Sequence, residues 1–425
     1  MVIIMIEKKH NNNVYIWNGL ATILNSFQSA IIMMIIAQIT GNYDAGIFVI
    51  AYAMANLAMM VGKYGMRQFQ VSDIAPKYSF KTYSYSRIIT IVLMFFFTAF
   101  YLVINSYIKQ YSVEKVCIIS LWCFLRMVES YEDVYHAELQ KLNLLGLAGK
   151  IISIRIIGML ILFFISYAKS QNLLFSTILS ILFNVLIAIV FNYKVKQKYS
   201  LSAKGKFEID KTIGLLKECF SLFISSFLFM YMTNAPKYCI DGVLIEDKQA
   251  VFSYIYMPVF IINLFSNFIY QPMLVKYAIL WNDKKFNQIT RIIIKQILCI
   301  AGITIFFILG FKVIGLFLLG VIYSTNLMEY SNELLVLLVA GGFLALVNYF
   351  QMILTIMRNQ KTIFLSYLIV SCIFILLSTT VLVRSGMIGL CIFFMISLFG
   401  ISIIMGGKII YIIYNGMNAD KGEVI

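Results

Sequence analysis

Leu121-Trp-Cys-Phe-Leu-Arg126-Met-Val-Glu129-Ser-Tyr-Glu132-Asp133-Val-Tyr-His136-Ala-Glu138-Leu-Gln140 begins as one more apolar run in a chain full of them, then collects Arg126, Glu129, Glu132, Asp133, His136 and Glu138. On a helix turning about 100° per residue, Arg126, Glu129, Asp133, His136 and Gln140 fall on one side, with Glu132 at its edge. Phe124, Leu125, Met127, Val128, Tyr131 and Leu142 fall on the other. Turning such charges to lipid costs roughly 2.5–3.5 kcal/mol each. The stripe is therefore expected to line a polar cavity, the alternative being a set of ion pairs made only to permit burial.

The surroundings of this stretch make it a membrane helix. Of 425 residues 61% are hydrophobic and only 12% charged, too few charges for a water-facing surface of that size. The fold class is an all-α integral membrane protein. Cys117, Cys123, Cys219, Cys239, Cys299, Cys372 and Cys391 are scattered through apolar runs and read as small buried residues rather than ligands or disulfides. His10 and His136 are the only histidines, so a His-rich metal centre is excluded.

Outward from residues 121–140, about twelve spans can be drawn. The first six are Val14–Ile39, Ala45–Gln70, Ser86–Ile108, Val113–Gln140, Leu147–Ala168 and Leu173–Tyr193. The second six are Ile213–Ala235, Ala250–Pro272, Ile289–Phe311, Asn332–Met357, Ile363–Val383 and Met387–Tyr414. Val313–Tyr323 is too short to cross alone and either extends the ninth span or lies at the interface. Cations alternate between loops. One side holds Lys8 and Lys9, then Lys77, Lys81 and Arg87, and the central group Lys194, Lys196, Lys198, Lys204, Lys206 and Lys211; the other side is sparse. The bias places both termini and the central loop in the cytoplasm, and it explains the net charge of +15 without a nucleic-acid partner. Residues 1–198 form an N-lobe and 213–425 a C-lobe, six helices each, joined by a linker at 199–212. Phe48 and Tyr52 in the second span recur as Phe252 and Tyr256 in the eighth, as expected of two parallel halves with a substrate cleft between them.

Other candidates follow from depth and spacing. Lys63 and Arg67 share a face one turn apart at the end of the second span, for an anionic head group or for plain snorkelling to the interface. Arg155 lies deep in the fifth span. His136 titrates near neutral pH when unperturbed. Lys237 and Asp241 are spaced to pair with each other. Pro258 interrupts the eighth span, where it removes a backbone donor and provides either a hinge or a fixed kink. No phosphate-binding loop, metal motif or nucleophile elbow occurs. The chain is expected to be a transporter, not an enzyme. It is expected to need no cofactor and no metal, its own ATP hydrolysis is excluded, and coupling to a proton or sodium gradient stays open.

Asp44-Ala-Gly-Ile-Phe…Tyr52-Ala-Met-Ala-Asn56 running into Gly65-Met-Arg67-Gln-Phe-Gln-Val-Ser-Asp73 resembles bacterial polysaccharide repeat-unit flippases of the Wzx type. So do Arg126…Glu129-Ser-Tyr-Glu-Asp133…His136…Glu138-Leu-Gln140, Ala235-Pro236-Lys237-Tyr-Cys-Ile-Asp241, and Gln271-Pro272. These flippases share a superfamily with the multidrug and toxic-compound extruders (MATE), and the resemblance runs along essentially the whole chain. It implies a MATE-like fold of two six-helix lobes and a place in the bacterial cytoplasmic membrane. The implied substrate is an undecaprenyl-pyrophosphate-linked oligosaccharide for O-antigen or capsule, moved between leaflets by alternating access. The implied partners are membrane lipids and the polysaccharide polymerase with its chain-length machinery. Arg67 and Arg126 match basic positions of that pattern and become anion contacts; Arg155 is assigned on depth alone, and Lys63 and His136 complete the set. Glu129 and Asp133 are expected to hold Arg126 and meet sugar hydroxyls.

Two relatives of that family fit less well. Cation-coupled drug exporters often carry an acid in a span, some of them in the first, and Val14–Ile39 has none. Peptidoglycan-precursor flippases generally have more spans and a basic pair where Met59 and Met60 stand here. From another class, a membrane glycan polymerase would need a large outer loop, and the longest here, near Pro236–Gln249 or Tyr323–Ser331, are short.

Overall fold

The computed structural model describes residues 2–72, 77–142, 144–198 and 208–422, with side chains described for 16–71, 77–142, 144–195, 197–198 and 208–417. The long apolar runs become helices α1 (Val2–Ile39), α2 (Asn42–Lys63), α3 (Met66–Ser72), α4 (Phe80–Ile108), α5 (Val113–Lys141), α6 (Leu145–Ser170), α7 (Leu173–Lys198), α8 (Ile209–Ile240), α9 (Glu246–Tyr270), α10 (Leu274–Asn282), α11 (Phe286–Gly310), α12 (Leu316–Tyr323), α13 (Ser331–Ile356) and α14 (Gln360–Gly422). The starts of α4 and α5 carry side-chain caps. Ser79 Oγ accepts from the Thr82 amide and Ser112 Oγ from the Lys115 amide, each at 3.2 Å, which satisfies a donor the first helical turn leaves open.

Among the described residues ten helical stretches are long and apolar enough to cross a membrane. The charged α5 is not among them, although its 29 residues suffice in length. The last of the ten, α14, contains Gly386 at φ 65°, ψ −163°, a conformation that ends one helix and starts another. Adding α5 and dividing α14 there gives the twelve spans expected. Val313–Tyr323 extends the ninth span, because α11 passes through a π turn at Phe311–Gly315 directly into α12.

The second span is shorter than expected. It ends at Lys63 because Tyr64 and Gly65 both take positive φ, 49° and 67°, and the chain restarts as α3. Lys63 and Arg67 therefore do not share a face of one helix. A Cβ on Gly65 would fall 2.8 Å from Leu222 Cβ, so glycine is needed both for the turn and for the close approach of α8. Pro258 is buried inside α9, which is helical from Glu246 to Tyr270; the change of helix type in this segment falls at Gln271–Met273, around Pro272.

The chain forms two compact units, Met1–Met230 and Tyr231–Ile425. The first two thirds of α8, as far as Met230, thus belong with α1–α7, whereas the first nine residues of the expected 199–212 linker lie outside the described residues. In the first unit α2 is the enclosed centre, against α5 and α4. Its small residues permit this: a Cβ on Gly62 would fall 2.7 Å from Ser130 Oγ of α5. Trp122 of α5 packs edge-on to Phe48 and Tyr52 at 5.3 and 5.5 Å. In the second unit α13 packs on α9 and α14, and a Cβ on Gly341 would lie 3.1 Å from the Val259 Cα. The aromatic repeat is physical as well as sequential. Phe48–Tyr52 and Phe252–Tyr256 each have ring centroids 5.6 Å apart, and each tyrosine faces a cation, Arg126 at 4.8 Å and Lys237 at 5.1 Å.

Candidate functional site

The charged side of α5 is turned inward. Arg126, Glu132, Asp133 and His136 are buried, while Phe124 and Tyr131 on the opposite side are exposed, as lipid-facing residues should be. Buried charges persist only when paired, and the partners come from three neighbouring helices.

Asp133 is the junction of one group. Its Oδ1 accepts from Arg67 Nη1 of α3 at 3.1 Å and its Oδ2 from Arg87 Nη2 of α4 at 3.0 Å. Arg87 is fully buried, and its Nη1 donates to the Gly62 carbonyl at 2.8 Å, which Thr90 Oγ1 also reaches at 2.7 Å. One guanidinium thereby closes an open carbonyl at the end of α2 and neutralises α5. Arg67 spends its other donors on a neutral group, Nε and Nη2 reaching Gln140 Oε1 at 3.3 and 3.0 Å. Gln70, also on α3, donates to Glu138 Oε2 at 3.0 Å and to the Val134 carbonyl at 3.3 Å.

Glu129 is the junction of the other group. Arg126 pairs with its Oε2, and Arg155 of α6 reaches its Oε1 at 3.1 Å and pairs with Glu132 besides. Asp133 thus holds Arg67 and Arg87 rather than the Arg126 expected from the sequence. Glu132, expected at the edge of the stripe, is 1% exposed; its Oε2 pairs with Arg155, and its Oε1 is buried without a described partner. His136 is buried with its ring 5.8 Å from that of Phe191 in α7, and its Nε2 has no partner among the described residues.

These pairs leave a positive surplus. Four arginines meet three carboxylates, and Lys63 lies beside them, facing Asp133 and Glu129 without forming an ion pair with any described residue. Access is unequal. The Arg87, Arg126 and Arg155 side chains are 0, 3 and 7% exposed, but that of Arg67 is 35% exposed and Lys63 is half-buried. The Nε atoms of Arg87, Arg126 and Arg155 are buried without a described partner.

Arg87 is the residue that the sequence reading missed, having counted it with the loop cations Lys77 and Lys81. A signal was present: Thr82, Ser86, Thr90 and Thr98 recur at helical spacing through an otherwise apolar run, and all are buried with Arg87 on one face of α4. Outside the spans, Lys77 pairs with Glu218 of α8, whose carboxylate holds the ammonium above the usual lysine value, and Tyr78 Oη donates to the same carboxylate at 3.1 Å. In the second unit Lys237 Nζ lies 3.3 Å from Asn234 Oδ1 of the same helix, α8, and 5.1 Å from the ring of Tyr256 on α9.

No protein-family model matches the chain, and no curated protein matches it significantly. Solved structures do. The lipid II flippase MurJ in an inward closed conformation superposes with TM-score 0.66 at 16% identity, covering 93% of this chain and 87% of that one. An inward-facing multidrug resistance MATE family transporter of the MOP superfamily gives 0.65 at 11% identity, covering 92 and 96%. A MOP superfamily transporter from Pyrococcus furiosus, whose binding pocket is described as having reverse polarity, gives 0.57 at 9% identity, covering 94 and 93%. The chain therefore has the MATE/MurJ-like fold, all-helical and multi-spanning.

Proposed function

We propose that the chain is a flippase that carries an anionic lipid-linked head group across the membrane by alternating access, its substrate being an oligosaccharide on undecaprenyl pyrophosphate. The observation that carries this reading is the positive surplus of the α5 network, with its two most accessible cations, Lys63 and Arg67, on either side of the α2–α3 break. A pyrophosphate crossing a low-dielectric slab needs a substitute for water. Lys63 offers an ammonium that no described carboxylate has claimed. Arg67 can exchange its two hydrogen bonds to neutral Gln140 for phosphate oxygens, which charge-assisted bonding favours. Asp133 stays neutralised through that exchange because Arg87 holds its other oxygen. Arg126 and Arg155 serve this exchange from behind, fixing the charge and orientation of α5 through Glu129.

The cation-coupled drug exporter is the weaker reading. Such a carrier needs an available acid, and Glu129, Glu132 and Asp133 are each engaged by one or two arginines. The deciding experiment depletes the protein in cells and measures lipid-linked oligosaccharides in each leaflet. Accumulation on the cytoplasmic side supports the flippase. An unchanged leaflet distribution together with lost efflux of small organic cations would replace it by the exporter.

A further inference from the structure

Away from the charge network, α6 and α7 enclose a groove of about 320 Å³, within the range of roughly 300–1,000 Å³ typical of ligand sites. Its floor is Leu147 and Ile151 of α6 with Phe191 and Val195 of α7, residues that also pack against Tyr135 and Leu139 of α5. Its mouth is formed by Ile154 and Val190, both exposed, and continues onto exposed Ile157, Leu186 and Ile189. In a multi-spanning chain that surface meets acyl chains. The groove is not apolar throughout: Lys194 and Lys198, exposed and one turn apart on α7, close one end. Lys150 at the same end of α6 lies 5.7 Å from the ring of Trp17, the kind of tryptophan–cation pair found at head-group level.

We propose that this groove binds an anionic phospholipid, with its phosphate on Lys194 and Lys198 and one acyl chain between α6 and α7. Charge complementarity selects the occupant. A zwitterionic lipid would fill the apolar part equally well but would bring no net charge to the two ammonium groups, and no described carboxylate lines the groove. The site is separate from the transport substrate and holds whatever that substrate is. It has a mechanical consequence, because Phe191 is both groove floor and the ring packed on His136. A lipid seated there braces the half of α5 that carries Asp133.

The test is native mass spectrometry of the purified full-length protein with phosphatidylglycerol and with phosphatidylcholine of identical acyl chains. Wild type should retain phosphatidylglycerol preferentially. Lys194→Gln/Lys198→Gln should lower that preference roughly 30-fold, the effect expected of two lysines near an anionic surface. Val190→Trp, a substitution at an exposed position, should release both lipids by filling the groove. Thermal unfolding in lipid-free detergent serves as the folding control, and both variants should match wild type there. Added phosphatidylglycerol should then raise the melting temperature of wild type alone. Equal phosphatidylglycerol retention by wild type and the double-lysine variant would overturn the proposal, as would undiminished retention after Val190→Trp. Displacement by inorganic phosphate would overturn it too, as would a preference for a pyrophosphate-linked isoprenoid over phosphatidylglycerol.

Discussion

Arg87 and Lys63 are both cations at membrane depth, yet opposite outcomes are expected when each is removed. Arg87 is fully buried and shares Asp133 with Arg67, so Arg87→Ala leaves a buried carboxylate with one partly exposed partner. Losses of about 3–5 kcal/mol follow such a deletion. The denaturation midpoint in detergent should fall accordingly, and Arg87→Ala/Asp133→Ala should recover much of the loss. Additive losses in the double variant would show that the two residues act separately. Lys63 faces Asp133 and Glu129 without an ion pair, so Lys63→Gln should cost less stability than Arg87→Ala, while transport falls at least about tenfold, the worth of one charge-assisted contact. The membership of this charge network was partly legible. The helical period identified the α5 stripe, and depth identified Arg155. The pairing was not legible, since which carboxylate meets which arginine depends on how α3, α4 and α6 dock on α5. Arg87 was hidden by its place near the start of an apolar run, where a cation ordinarily reads as a loop residue.

At the scale of elements, the break between α2 and α3 positions the accessible cations. Tyr64 adopts the left-handed conformation with its ring stacked on Phe223 at 4.4 Å, and Gly65 follows at φ 67°. Gly65→Ala should cost about 1–2 kcal/mol for the left-handed backbone, in addition to the collision with Leu222, and should disturb transport by moving Arg67 off Asp133. Gly62→Val should be worse for stability, since the added atoms meet Ser130 and the Met94 sulfur within 3 Å; a loss of about 1–3 kcal/mol is expected from overpacking. Gly62→Val with wild-type stability would show that α2 and α5 are not closely packed there. Hydropathy alone carried the second span to Gln70, because residues 66–71 remain helical and partly apolar; only the two positive φ values at Tyr64 and Gly65 end it earlier. The reverse holds for Val313–Tyr323. That piece is too short to cross alone, but a π turn joins it to α11 without a break.

For the whole molecule, twelve spans were legible because each is a long apolar run, and the one weak run, α5, was recovered through its charged stripe. The boundary between compact units was less legible, since composition marks the basic stretch before α8 whereas packing assigns α8 as far as Met230 to the first unit. The cation bias predicts orientation. In a background with all seven cysteines replaced, single cysteines at Asn42 or Asp247 should react with an impermeant maleimide from outside, and one at Glu208 should not. Labelling of Glu208→Cys in intact cells would reverse the topology. The central claim is that accessible cations at the α2–α3 break carry an anionic lipid-linked head group. Its most direct test is transbilayer movement of a fluorescent undecaprenyl-pyrophosphate oligosaccharide in proteoliposomes, comparing wild type with Lys63→Gln and with Arg67→Gln. The account predicts rapid movement for wild type and a loss of about tenfold or more for each variant, with both variants folded. Wild-type movement of the lipid by the Lys63→Gln/Arg67→Gln double variant would contradict it.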